Sequence, residues 1–133
     1  MIFSRNRKAY TDVTPAQAAQ LKHTVKVIDV RSHDEYFGDL GHIPGSMLTP
    51  TPALDAMSRD WESETPILVV CRSGRRSAAA AEQLAHRGFT RIHNLAGGMM
   101  AWNAAGLRAC STRHAGDGTT ACDAQLNITR EAV

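Results

Sequence analysis

Apolar residues along this chain fall into short dense runs that alternate with stripes spaced by three and four. Ile67-Leu68-Val69-Val70 is the densest run. Four consecutive apolar residues, three of them β-branched, predict a strand buried on both faces. Val25 to Val30 carries apolar residues at 25, 27, 28 and 30 and predicts a second strand of the same kind. Phe89 to Leu95 predicts a third, while Tyr10 to Val13 and Met47-Leu48 predict short ones.

Helical stripes fill the intervals. Thr14-Pro15, an N-cap followed by a first-turn proline, opens a helix with Ala18, Ala19 and Leu21 that runs to about Lys22. Ser32 caps a short helix through His33, Asp34, Glu35 and Tyr36, which Gly38 and Gly41 break. A helix from Thr51-Pro52 presents Leu54, Met57 and Trp61 as a packing face. The alanine run Ala78 to Ala81 continues a helix to Arg87, with Gly88 as its stop, and a last helix carries Met99, Met100, Trp102 and Ala105 up to Gly106. Strands alternating with helices at these intervals predict an α/β domain with a mainly parallel sheet.

The chain of 133 residues has room for one domain with one core. Its reading divides into a flexible N-terminus over 1–9, a folded domain over 10–107 and a polar C-terminal tail over 108–133. Fifteen basic against thirteen acidic side chains give a formal charge of +2. That balance argues against a nucleic-acid or membrane surface, so any positive field is local. No run approaches the length of a membrane span, and Met1-Ile2-Phe3 is followed at once by Arg5, Arg7 and Lys8, which is not a secretory signal. Cysteines at 71, 110 and 122 are odd in number and widely spaced, which speaks against a disulfide framework and for a reducing cytoplasm.

Candidate chemistry centres on Cys71. It stands between the densest strand and the alanine helix, in a loop that aims backbone N–H groups and the positive end of a helix dipole at its centre. Helix N-termini and neighbouring cations favour the thiolate, and Arg72, Arg75 and Arg76 are permanent cations. Gly74 lets the loop bend. A free cysteine ending a buried strand is ordinarily just a small apolar residue. Three arginines within five residues of it favour a reactive thiol instead.

Cys71-Arg72-Ser73-Gly74-Arg75-Arg76 is similar throughout to the catalytic loop of the rhodaneses, the family of thiosulfate and related sulfurtransferases. Asp29-Val30-Arg31 with Glu35-Tyr36, then Gly41-His42-Ile43-Pro44-Gly45-Ser46, then Asn94-Leu95-Ala96-Gly97-Gly98-Met99 with Ala101-Trp102, resemble the family's other marks in order. The resemblance covers about residues 10 to 107. It implies a rhodanese-like domain of five strands with helices on both faces, and a sulfurtransferase of the thiosulfate:cyanide type. Cys71 thiolate would take the outer sulfur of a small anionic donor such as thiosulfate, then pass it from a persulfide to cyanide or to a thiol. Arg72, Ser73, Gly74, Arg75 and Arg76 would form the cradle, with Arg72, Arg75 or Arg76 orienting the donor. Asp29, Arg31, Glu35 and His42 read as structural support, with Arg31 and Glu35 able to pair across their turn. No metal or organic cofactor is required.

Two rivals use the same loop. A persulfide carrier or regulatory module would deliver sulfur to one protein partner, and the presence of Cys71 argues against an inert scaffold. Cysteine phosphatases and arsenate reductases cradle an oxyanion in a similar way, but their loop is one residue longer, and here the position after Arg76 is Ser77. In the tail, Cys110, His114 and Cys122 suggest a fragment of a metal site without a fourth ligand, or thiols that could relay sulfur from Cys71. Incidental cysteines are the simpler expectation.

Overall fold

The structure, a computed structural model, describes residues 8–111. Five strands form one sheet: β1 (Thr11–Val13), β2 (Lys26–Asp29), β3 (Met47–Leu48), β4 (Ile67–Val70) and β5 (Ile92–Leu95). Their order is β1-β5-β4-β2-β3 and every pairing is parallel. The α/β class and the five-stranded parallel sheet expected from the sequence are what the chain adopts. Parallel pairing brings the C-terminal ends of β2, β4 and β5 side by side, so the loops after Asp29, Val70 and Leu95 converge on one edge.

β4 lies at the centre, and all four of its residues are fully buried. Alternation sends Ile67 and Val69 to one face and Leu68 and Val70 to the other. On the first face they meet Ala80, Ala81 and Leu84 of α4 (Arg75–His86) and Leu54 of α3 (Leu54–Met57). On the second they meet Ala18 of α1 (Pro15–Leu21) and Met99 and Trp102 of α5 (Gly98–Ala104). Each of these large apolar side chains contributes roughly 1.5–3 kcal/mol by leaving water. The small Ala80 and Ala81 let α4 lie close to the sheet, which fixes the loop between β4 and α4 at both ends.

The local signals act as their chemistry requires. Thr14 and Gln17 close a capping box at the start of α1, and Ser32 and Glu35 close another at α2 (His33–Tyr36). The third predicted strand is shorter than expected, because Phe89 to Arg91 lie in the connection from α4. The helix expected from Thr51 also differs. A 3-10 turn over Thr51–Ala53 leads into α3, which stops at Met57, where the Ser58 hydroxyl donates to the Leu54 carbonyl. Leu54 is buried and Trp61 packs on the core, but Met57 is 38% exposed, so the expected stripe is not one continuous packing face.

Residues 108–111, read from the sequence as the start of the tail, pack on the domain. The Trp102 indole N–H donates to the Arg108 carbonyl, and Cys110 and His42 exchange backbone hydrogen bonds at 2.8 Å. Cys110 is disulfide-bonded, whereas Cys71 is free. That differs from the expectation that the widely spaced cysteines take no part in disulfides. His114 and Cys122 lie outside the described residues.

Candidate active site

Cys71 follows β4 directly, and the chain then turns through Arg72 and Ser73 to Gly74, the N-cap of α4. Gly74 has φ +100, and a Cβ there would stand 3.1 Å from the Gly97 nitrogen, so both conformation and space call for glycine. Glycine is equally required at Gly98, with φ +58, where a Cβ would come within 2.4 Å of the Arg72 carbonyl group. That close approach lets the first turn of α5 bind the outside of the loop. The Met99 N–H donates to the Cys71 carbonyl at 2.8 Å and the Met100 N–H to the Arg72 carbonyl at 3.0 Å. The Gly74 carbonyl is taken by the Ala78 N–H and the Asn94 side chain.

With the carbonyls held outside, the N–H groups face inward onto sulfur. Cys71 Sγ accepts hydrogen bonds from the Gly74 N–H at 3.1 Å and from the Ser77 N–H and hydroxyl at 3.2 Å each. Burial pushes the Cys71 thiol up, but the Ser77 hydroxyl and the N–H groups of Ser77, Gly74 and Ser73 outweigh it, and the thiol is held below its ordinary value. The arrangement can stabilise negative charge on one sulfur. The N–H groups of Arg75 and Arg76 open α4, where a helix has no internal acceptor for them.

The arginines divide into three kinds. Arg31 is 1% exposed and forms a bidentate pair with Asp29 at 2.9 and 2.8 Å, and its Nη2 also donates to the Gly41 carbonyl. Arg76 forms a bidentate pair with Glu35, both contacts at 2.9 Å, on half-exposed side chains. The expected pairing of Arg31 with Glu35 is therefore corrected. Asp29 is the nearer partner on the same strand end, and the β2–β4 pairing delivers Arg76 to Glu35. The Arg76 hydrogen bonds hold the Glu35 carboxyl down at about 2, below its ordinary range. Arg72 and Arg75 are exposed and make no ion pair among the described residues. A depression of about 230 Å³ beside the loop is lined by Arg31, Glu35, Leu40 and Arg72, among others.

His42 stands apart from the sulfur. It is buried, its Nδ1–H donates to the Tyr36 carbonyl at 2.9 Å, and its ring stacks on Tyr36 at 3.7 Å. The structure thus gathers Cys71 and Arg72 to Arg76 in one loop, brings Glu35, Asp29 and Arg31 to its side, and packs His42 against Tyr36, Phe37 and Cys110. Sequence reasoning gave no role to Ser77, which touches the sulfur, nor to Asn94, whose Oδ1 is 2.5 Å from the Ser77 hydroxyl. Both stood inside stretches already singled out. A polar side chain on the buried strand β5 was the available signal.

Residues 14–105 match the model of the rhodanese-like domain. The chain belongs to this family. A thiosulfate sulfurtransferase GlpE of Pseudoalteromonas translucida (strain TAC 125) is 33% identical over 99 residues, covering 73% of this chain and 92% of that protein. A putative sulfur carrier protein YrkF of Bacillus subtilis (strain 168) is 30% identical over 86 residues, covering 65% of this chain and 45% of that one. Among solved structures, a rhodanese-related protein from Thermoplasma volcanium superposes with a TM-score of 0.68 at 28% identity, covering 76% of this chain and 98% of its own. These names support sulfurtransferase activity at the level of the family. No helix among the described residues is long and apolar enough to cross a membrane.

Proposed function

We propose that this rhodanese-like protein moves a sulfane sulfur from a small anionic donor, thiosulfate or a related species, to a thiol through a persulfide on Cys71. The observation that carries this reading is the shell of N–H and O–H donors closed around Cys71 Sγ. In the first step Cys71 thiolate attacks the outer sulfur of thiosulfate. The S–S bond of the donor breaks, sulfite leaves with its electron pair, and the new S–S bond joins the sulfur to Cys71. In the second step an acceptor thiolate, or cyanide in an assay, attacks that outer sulfur and Cys71 leaves as thiolate again. Cys71 is the nucleophile once and the leaving group once, and a lowered thiol pKa serves both roles.

Arg72 and Arg75 are the cations left to attract a dianionic donor, since Glu35 engages Arg76. The N–H groups at the start of α4 offer the outer sulfur of the persulfide a cradle like an oxyanion hole. Asp29 and Arg31 with the Gly41 carbonyl, and His42 with the Tyr36 carbonyl, act as structural support for the chain beside the loop. A carrier that passes its sulfur to a single protein thiol would use the same steps, and the likeness to a protein named as a putative sulfur carrier favours keeping that acceptor in view.

The test is the intact mass after incubation of reduced protein with thiosulfate and removal of the donor. Wild type should gain one sulfur and Cys71→Ser none. No gain on wild type with thiosulfate or with an organic persulfide would overturn the reading. A carrier should then release that sulfur far faster to its protein partner than to cyanide or glutathione.

A further inference from the structure

We propose that Asp12, on the edge strand β1, is a positioning residue for Cys71 that acts through Asn94 on the hydroxyl of Ser77. The Ser77 hydroxyl carries one proton and faces two acceptors, Cys71 Sγ at 3.2 Å and Asn94 Oδ1 at 2.5 Å. It satisfies one of them at a time. Which one it serves depends on how strongly Asn94 Oδ1 competes.

Asn94 is held in a single orientation. Its Nδ2 donates to Asp12 Oδ1 at 3.0 Å and to the Gly74 carbonyl at 3.3 Å, and both of these only accept. The amide oxygen is therefore the atom turned to Ser77. A carboxylate on the N–H side of an amide draws its protons and builds negative charge on its oxygen, so hydrogen bonds in such a chain strengthen one another. The charge on Asp12 thus draws the Ser77 proton away from sulfur, across three groups and from the far side of β5. The β1–β5 pairing, which sets Asp12 against Asn94, creates this path.

The consequence for chemistry rests on the sulfurtransferase reading above. As thiolate, Sγ needs the hydroxyl. As the inner sulfur of a persulfide it carries less charge, and the hydroxyl returns to Asn94. A rotation of one O–H bond follows the charge through the cycle with no heavy atom moving, and Asp12 sets its bias.

Other charged groups on the elements around the thiol stay unchanged in the test. They are Arg72 and Arg75 in the loop, Arg76 on α4 with Glu35 of α2, and Asp29 with Arg31 at the end of β2; Lys8 pairs with Asp12 itself. Asp12 is 37% exposed at its side chain, so replacing it leaves the core intact.

The experiment is an ultraviolet titration of the Cys71 thiolate in full-length protein, each variant read against its own Cys71→Ser blank. Asp12→Asn keeps an acceptor for Asn94 and removes the charge. Its midpoint should fall by about half a pH unit, which is about threefold more thiolate below the midpoint. In the Ser77→Ala background, Asp12→Asn should change nothing. An unchanged midpoint in Asp12→Asn alone would overturn the proposal, and so would an equal fall with and without Ser77, which would mark a through-space charge effect. The titration needs no sulfur donor, so its result stands whether or not thiosulfate adds sulfur to Cys71.

Discussion

Two bidentate arginine–carboxylate pairs stand near the Cys71 loop, and their surroundings are opposite. Asp29 and Arg31 are sealed, at 0% and 1% side-chain exposure, while Glu35 and Arg76 stand at 31% and 48%. Burial changes what a pair is for. In the interior neither charge can turn to water, so each partner holds the other in place and the loss of one is severe. At the surface both charges have water as an alternative, and the pair contributes little to stability. What it fixes is the direction in which Arg76 points its charge. The sealed pair therefore belongs to the fold and the open pair to the mouth of the site.

The largest effect should come from breaking the sealed pair on one side. Arg31→Met leaves the Asp29 carboxylate buried alone and strips the Gly41 carbonyl of its Nη2 donor. The expected loss is about 3–5 kcal/mol, read as a lower urea midpoint with an unchanged slope. Asp29→Leu combined with Arg31→Met should recover most of it, because no charge remains buried. If Arg31→Met costs no more than Glu35→Gln in the same titration, the contrast between the two pairs is wrong.

Much of this contrast was hidden in the sequence for a physical reason. The strands, the N-caps at Thr14 and Ser32 and the glycine stops are written in residues within one turn of each other, and they were legible. The strand-to-helix loop after Val70 was legible too, since Cys71, Gly74 and the arginines are neighbours in the chain. Pairings set by the sheet were not. Arg76 reaches Glu35 across 41 positions because β2 and β4 run side by side, and Asn94 reaches Asp12 across 82 because β5 pairs with β1. Reading along the chain offered Glu35 to Arg31, a turn away, and no local pattern could prefer Asp29. Cys110 is similar: its packing against His42 depends on a segment that looks only polar in sequence.

A smaller effect sharpens the open pair. Glu35→Gln keeps the hydrogen-bonding shape of the α2 capping box and removes the charge that engages Arg76. Arg76 then joins Arg72 and Arg75 as a cation available to an anionic donor. The KM for thiosulfate should fall by about threefold at low ionic strength and return to the wild-type value near ~1 M salt, where charges more than about 3 Å apart are screened. Stability should move by less than about 1 kcal/mol. A raised KM that is independent of salt would mean instead that the clamp positions Arg76 for the donor.

The smallest effect is in the acid range and concerns the same carboxylate. Glu35 is held at about 2 in the folded protein, against 4.5 ordinarily, first by the Arg76 hydrogen bonds. A depressed carboxyl contributes stability that is fully present above its unfolded value and is lost as pH falls through the folded one. The window therefore runs from about pH 4.5 down to about 2. Because both side chains are open to solvent, screening reduces the contribution to about 0.5 kcal/mol. Urea unfolding of wild type and Glu35→Gln at intervals across this window should show the wild-type advantage shrinking toward acid, with the two curves parallel above pH 4.5. Parallel curves throughout would mean that the Arg76 clamp leaves the energy of the folded state untouched and acts on the direction of one guanidinium alone.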